Sequence, residues 1–498
     1  MDSSIGARGS QKDNRFARYC LVSLLLLVAR PAWAQFAVGP EFQADAREPG
    51  SGHIPGDAGY WIGSSPDGYI FGCWSEDAPG TSQWGLFCRT FSASGPVNDP
   101  LELVQTFSQT VFFPTGCADS QGNVYLIWVG SGHLYSTHSP DRGLTFGAPQ
   151  RADRGGGTVR TAEVQISCDE GGNVYATWQD TREGDSHLYF NSSSDFEETW
   201  GASDTRIDVL AGAVQGYRYG PILANDTSGS VYVAWVKSGH LYFNSSHDFG
   251  QTWSAADTQL DQFGVADPAS SRPSIAADNN GHIYTAWTTG QMYLNKSNDS
   301  GVTWLKREKR ISDLQSVVAV GGTVTADNSG HVYGLWYYQA QGSFILDVRA
   351  NSSSDYGETW ADNDTPIGTT GVSVHPFIPH LASNQSGGVF AIWLRYLNAG
   401  RVRHIYGNAS FDYGATWQGE NGFQVDSTDP TFDINSHEPF VSGDDLGVGA
   451  AMWLDGRDRA KHTCSSIPSA YFLNRYQIIC KAAASRFSIS PNTVTDPS

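Results

Sequence analysis

Residues 226–253 read DTSGSVYVAWVKSGHLYFNSSHDFGQTW, and this stretch contains one copy of each element that repeats along the chain. Asp226 stands three residues before Gly229, in a run of short polar residues that reads as a strand-to-strand turn. Gly229 opens a β-forming segment that ends on Trp235, six places on. Thirteen residues later comes Asp248, inside Ser246-x-Asp248-x-Gly250-x-Thr252-Trp253. Upstream, Pro221-Ile-Leu-Ala224 reads as a short innermost strand.

Working outward, the Gly-to-Trp signature recurs eight times, as GYIFGCW at 68, GNVYLIW at 122, GNVYATW at 172, GSVYVAW at 229, GHIYTAW at 281, GHVYGLW at 330, GGVFAIW at 387 and GVGAAMW at 447. Its tryptophans are Trp74, Trp128, Trp178, Trp235, Trp287, Trp336, Trp393 and Trp453, spaced 49 to 60 residues apart. A period of that length in an all-β sequence is one four-stranded antiparallel blade of a propeller. The expected fold is therefore a single all-β propeller of eight blades, with seven as the alternative. Asp119, Asp169, Asp226, Asp278, Asp327, Asn384 and Asp444 recur three residues before the Gly. Six copies carry the S-x-D-x-G-x-T-W element, built on Asp141, Asp195, Asp248, Asp299, Asp355 and Asp412, with Phe146 replacing one Trp and Glu197 one Gly. The carboxylate there accepts backbone N–H bonds in a tight hairpin, and the Trp buries its ring against the blade. Blades one and eight lack the element, and residues 38–44 look like a strand without a blade. That N-terminal strand is expected to complete blade eight and close the ring, which removes exposed sheet edges.

On these residues the chain resembles the Asp-box, or BNR-repeat, family, whose members include sialidases. The resemblance covers nearly all of residues 35–498, and it implies that the six boxes are structural hairpins on the face away from an active site. Sialidases also carry an F/Y-R-I-P motif, a Tyr/Glu nucleophilic pair and an Asp acid/base. The nearest match here is His53-Ile54-Pro55, with His where Arg belongs. Their catalytic domains resemble six-bladed propellers, so their catalytic set is not carried over to this chain; fold does not fix function.

The chain has 498 residues, 31 Lys+Arg against 51 Asp+Glu, and a formal net charge of -20. Such a surface repels phosphate backbones and anionic lipid, which argues against nucleic acid as a partner. Arg15 and Arg18, the apolar run Leu21 to Ala29 and Ala32-Trp33-Ala34 read as a cleaved signal peptide over 1–34. The mature protein is expected to start at Gln35, to be secreted, periplasmic or extracellular, and to carry no transmembrane anchor. Outside the leader stand Cys73, Cys88, Cys117, Cys168, Cys464 and Cys480, an even number suited to disulfides in an oxidising compartment. Local pairing of Cys73 with Cys88 and of Cys464 with Cys480 is the simplest reading. Cys117 and Cys168 point to opposite faces of neighbouring blades, as a disulfide between blades or as two buried thiols. No metal spacing, nucleotide loop, haem site or calcium loop is present, so no cofactor is expected.

Function is expected where the scaffold is irregular. From blade Trp to box Asp the separations are 13, 17, 13, 12, 19 and 19 residues in blades two to seven, so blades six and seven carry extended loops on the face opposite the boxes. The matching stretches of blades eight and one are long too, which puts the extra length in one sector. That sector holds Tyr337, Tyr338, Arg395, Tyr396, Arg401, Arg403, His404, Asp455, Arg457, Asp458, Arg459, Glu76, Asp77 and Trp84. Arginines suit carboxylates and aromatic rings suit sugar faces, so Arg395, Arg401, Arg403, Arg457, Tyr337 and Trp84 are the candidate binding residues. Asp455, Asp458, Glu438 and Tyr338 are the candidates for acid/base or nucleophilic work. A second group near the axis comprises Arg160, Glu163, Arg218, Tyr219, Arg272, His375, His380, His437 and Glu438, for which ion pairing in a polar channel is the plain reading. Asp180 and Arg182 share their spacing with Asp455 and Arg457, which points to a bond that stabilises the loop. Three readings follow: a glycan-directed protein, as an exo-glycosidase favouring acidic sugars; a non-catalytic propeller binding a glycan or an extracellular protein; and a structural module. A monomer is expected in each.

Overall fold

The computed structural model describes residues 37–43, 60–77, 84–92, 95–107, 112–210, 214, 220–262, 273–312, 318–339, 345–372, 379–397, 402–425, 440–443, 448–455 and 477–484. Within them every regular element is a β-strand. Blade four shows the unit: Ile222–Asn225, Val231–Lys237, His240–Ser246 and Thr258–Gln259 pair in that order, and each neighbouring pair is antiparallel. The strands of the described residues fall into seven hydrogen-bonded sheets, one of them eight-stranded. That large sheet consists of two four-stranded halves, blades six and seven, joined by a single parallel bridge, Gly371 to Tyr396. The seven antiparallel sheets form a propeller ring and match the seven-blade alternative, because the repeats numbered six and seven share one sheet; the sheet of repeat one carries a fifth strand, Leu101–Phe107.

Closure takes the expected form. The first strand of each blade packs against the first strand of the next, and Tyr60–Ser64 of blade one lies against Phe440–Gly443 of blade eight. The N-terminal strand Ala37–Gln43 sits beside Gln477–Ala484 at the outer edge of blade eight. Residues 1–34, read from the sequence as a signal peptide, lie outside the described residues.

The repeated residues explain the blade. Trp74, Trp128, Trp178, Trp235, Trp287, Trp336 and Trp393 are all 0 or 1% exposed. Each takes on the order of 200 Å² from water, an upper bound of about 5 kcal/mol at ~25 cal/mol per Å². The turn aspartates do more than bond their own backbone. Asp226 Oδ1 accepts the Ser228 and Ser230 amides at 2.8 and 3.0 Å, and its Oδ2 accepts the Tyr232 hydroxyl at 2.7 Å. Asp119, Asp169 and Asp327 hold Tyr125, Tyr175 and Tyr333 in the same way.

The S-x-D-x-G-x-T-W turns are alike throughout. In blade six Asp355 accepts the Thr359 amide at 2.7 Å, the Thr359 hydroxyl at 2.6 Å and the Ser353 hydroxyl at 2.7 Å. The residue after the Asp is left-handed, with φ 59° at Tyr356, and its ring covers Gly330 of the same blade. A Cβ on Gly330 would come within 2.9 Å of that ring, and Gly330 itself has φ 94°, so only glycine fits there. Tyr356 also stacks on His282 of blade five at 4.3 Å, and Tyr413 on His331 of blade six at 4.2 Å.

The box tryptophans pack between blades rather than within their own. Trp253 of blade four meets Phe190 of blade three edge-on at 4.9 Å, and Trp304 of blade five meets Phe243 of blade four at 4.7 Å. In blades three to seven an asparagine two residues before the box serine staples the same seams: Asn244 Nδ2 donates to Ile207 O of blade three and to Ser254 O, both at 3.1 Å. Asn191, Asn351 and Asn408 do likewise, so these buried amides are spent on structure although each precedes a Ser two places on.

Two disulfides are described. Cys73 and Cys88 face each other across one hairpin, with Cα atoms 4.1 Å apart. Cys117 and Cys168 join blades two and three, with Cα atoms 6.1 Å apart, which selects the disulfide over two thiols. Cys464 lies outside the described residues, and Cys480 is described in its backbone alone.

Candidate functional site

Hairpin geometry separates the plain blades from the irregular ones. In blades two and four the second and third strands are joined by two residues, Ser131-Gly132 and Ser238-Gly239, both left-handed. This is the turn that matches strand twist. Blade six instead pairs Gln339 with Leu346, and blade seven Leu397 with Val402, so both connections are longer, as the spacing implied. Blade six is irregular at its outer edge too. Its fourth strand, Thr365–Val372, has eight residues where blades two to five and seven have two. The strand reaches the loop end, where Val372 pairs with Ile345 and Gly371 bridges to Tyr396 of blade seven.

Two Arg–Tyr stacks mark this joined sector. In blade six the Arg349 guanidinium lies over the Tyr338 ring, 4.9 Å from its centroid, and donates to Asp347 at 3.1 Å. In blade seven the Arg395 guanidinium lies over Tyr406 at 4.6 Å. The two blades use the same two positions in reverse. Tyr338 and Arg395 both follow the blade Trp by two residues, while Arg349 and Tyr406 both pair across from it. Arg395 Nε is buried without a hydrogen-bond partner among the described residues. Flat guanidinium edges supported by aromatic rings are suited to carboxylates and to sugar hydroxyls.

The other candidates divide clearly. Tyr337 is 1% exposed and packs in the core with Leu335, Leu346 and Trp393, so its ring faces the blade seam. Tyr396 and His404 are buried as well, the latter with Nδ1 3.1 Å from Gln424 Nε2. Trp84, Arg403, Asp455, Glu76, Asp77, Arg160 and Glu163 are described in their backbones alone. Arg401, Arg457, Asp458, Arg459, Glu438, Arg218, Tyr219, Arg272, His375 and His437 lie outside the described residues. His380 is half-buried, its ring 4.6 Å from Phe440.

Blade three, also long-looped, is internally satisfied. Arg182 donates to Asp180 at 2.6 and 3.0 Å and to Asp204 at 2.8 Å, and lies over Tyr189 at 3.9 Å. Arg206 pairs with Glu183 at 2.6 Å. The Asp180–Arg182 bond is the loop-stabilising contact its spacing suggested.

One repeated device escaped sequence reasoning. His133, His187 and His240 stand at or near the start of their third strands, and each meets an aspartate 20 or 21 residues on: Asp153 at 3.1 Å, Asp208 at 2.7 Å and Asp261 at 2.9 Å. Burial pushes the Asp153 carboxyl up, but Arg151, the Leu134 amide and His133 outweigh it and hold it below its ordinary range. The recurring His-Leu-Tyr followed by a distant Asp was the available signal. Among the described residues no group of three or more His, Cys, Asp or Glu side chains is placed to hold a metal.

No family model matches the chain, and no curated protein matches it. Solved structures do. An α-L-arabinanase of Penicillium chrysogenum, complexed with arabinobiose, is 10% identical over 76% of this chain and 99% of its own, with a TM-score of 0.38. A variant of the α-L-arabinofuranosidase of Fusarium graminearum, in complex with an iminosugar inhibitor, is 11% identical over 76% and 98%, with a TM-score of 0.40. A puromycin-hydrolyzing peptidase of Mycobacterium tuberculosis is 10% identical over 85% and 58%, with a TM-score of 0.42.

Proposed function

We propose that the protein is an exported, sialidase-superfamily-like propeller that recognises acidic glycans on the loop face of blades six and seven. The observation that carries this reading is the pair of Arg–Tyr stacks, Arg349 on Tyr338 and Arg395 on Tyr406, in the two blades that are joined at their loop ends. Such a stack offers a carboxylate a planar donor and a sugar ring an apolar platform. Arg401 and Arg403, in and beside the blade-seven connection, add positive charge to the same stretch. The Asp-box turns support the superfamily reading but supply no chemistry.

Binding without hydrolysis is the second reading, and Asp347 favours it. Its carboxylate is engaged by Arg349 at 3.1 Å. Hydrolysis would require Asp455, Asp458 or Glu438 to bring two carboxylates about 5 to 10 Å apart around the bound sugar. A glycan array together with a chromogenic-glycoside screen of the secreted protein tests both readings. Acidic glycans should bind, and Arg395→Ala and Arg401→Ala should each weaken binding about tenfold, the loss of one charge-assisted contact. Binding unaltered by both changes would place recognition elsewhere. Turnover lost in Asp455→Asn or Glu438→Gln with binding kept would make the protein a hydrolase.

A further inference from the structure

We infer that the outer edge of blade five, residues 305–310, is a docking strip for acidic polysaccharide, separate from the loop face. In blades three to six the fourth residue after the box Trp is an acid, Asp204, Asp257, Glu308 and Asp364. Asp204 in blade three accepts the Arg154 amide at 2.9 Å, and Asp257 in blade four the Val209 amide at 2.9 Å. In blade five Glu308 fills this position and accepts the Gln262 amide at 3.2 Å, its side chain turned inward and only 6% exposed. Scaffold geometry therefore accounts for the acid. It does not account for what surrounds it.

The residues two, three, five and six places after the Trp are Ala202, Ser203, Thr205 and Arg206 in blade three, and Ala255, Ala256, Thr258 and Gln259 in blade four. In blade six they are Asp362, Asn363, Thr365 and Pro366. In blade five all four are cations: Lys306, Arg307, Lys309 and Arg310. Lys306, Arg307 and Arg310 are exposed, and Lys309 is half-buried, donating to the Glu358 carbonyl of blade six. With Glu308 folded in, the strip carries four cationic side chains, three of them exposed, on a chain whose net charge is -20. Glu358, the carboxylate beside it, meets Lys296 at 2.7 Å, and Lys309 of the strip lies near both Glu358 and Asp355. The same Lys296 donates to the Tyr356 carbonyl.

A cationic edge one strand wide fits a single chain of carboxylated or sulfated sugars. A bilayer or a duplex would bring its charge onto Asp362 and the rest of an acidic surface, within a Debye length of about 8 Å. A flexible polysaccharide meets the strip alone.

Retention of the full secreted chain on immobilised heparin and on polygalacturonate is the test, with anionic phospholipid vesicles and duplex DNA alongside. The polysaccharides should bind at low salt, and affinity should fall on the order of tenfold to a hundredfold between about 50 and 200 mM salt, as release of counterions by four contacts implies. Lys306→Glu with Arg307→Glu and Arg310→Glu should abolish binding at an unchanged Tm. Should that variant fail to fold, the single changes Lys306→Gln, Arg307→Gln and Arg310→Gln should each weaken it. Arg395→Ala should leave it intact, which separates this strip from the loop-face reading. Absent retention, or retention indifferent to these changes, overturns the docking strip, and equal binding of vesicles or DNA overturns the choice of polysaccharide.

Discussion

The hydroxyls of Ser64 and Ser442 lie 2.6 Å apart although 378 residues of chain separate them. Ser64 also reaches the Gly443 carbonyl at 3.0 Å, and Tyr60 meets Phe440 edge-on at 5.4 Å, so the seam between blades one and eight is made by side chains. Ser64→Ala should cost about 1 kcal/mol, the net worth of one hydrogen bond, read as a lower urea midpoint. A chain starting at residue 44 lacks the strand beside Gln477–Ala484 and should elute as oligomers in size-exclusion chromatography, because it exposes a sheet edge. A monomeric elution would show that this edge does not need its cover.

Acid should act through the six box aspartates. The Thr359 hydroxyl and amide hold the Asp355 carboxyl down to about 2. In Asp141, Asp195, Asp248, Asp299 and Asp412 burial pushes upward, but the equivalent bonds win and the carboxyls also sit below their ordinary range. A depressed folded-state pKa gives stability that is full above the unfolded value near 3.8 and lost as pH falls through the folded one. Tm should therefore drop steeply between about pH 4 and 2, and Asp355→Ala should lower Tm at pH 7 while flattening that drop.

Glu197 should give the opposite slope. It is fully buried at φ 63°, in the position that is glycine in the other five boxes, and both carboxylate oxygens are without a hydrogen-bond partner among the described residues. Burial pushes its pKa well up, so the folded protein keeps a proton that the unfolded chain loses above about 4.5. Its contribution is thus present below that value and fades as pH rises toward the folded one. Glu197→Gln should raise Tm at pH 7 and leave pH 4 nearly unchanged. Equal effects at both pH values would mean that Glu197 is ionised in the fold.

The seams should tolerate truncation poorly. Phe190→Ala removes the ring that meets Trp253 and should cost about 3 to 5 kcal/mol. Cys117→Ser opens a link 51 residues apart in sequence and should cost about 2 to 5 kcal/mol by the loop-entropy argument. Denaturant titrations of each single variant and of the pair check both figures, and the two losses should add because the changes lie in different seams.

The sequence by itself determined the blade. Asp226 bonding residues two to six positions on, Asp355 stapling its own hairpin and Trp235 anchoring the sheet are short-range relations, repeated about every 50 residues, so their period shows through the sequence alone. The excess length in blades six and seven was legible for the same reason. Only the tertiary structure decided what lies between blades. It directed Asn244 to Ile207 and Trp253 to Phe190, buried Tyr337 in a seam, and set Glu197 in a space bordered by Ser136, where the next two blades carry Phe190 and Phe243. Those partners come from different repeats, and their meeting depends on how each sheet packs against the next around the closed ring, which no local pattern encodes.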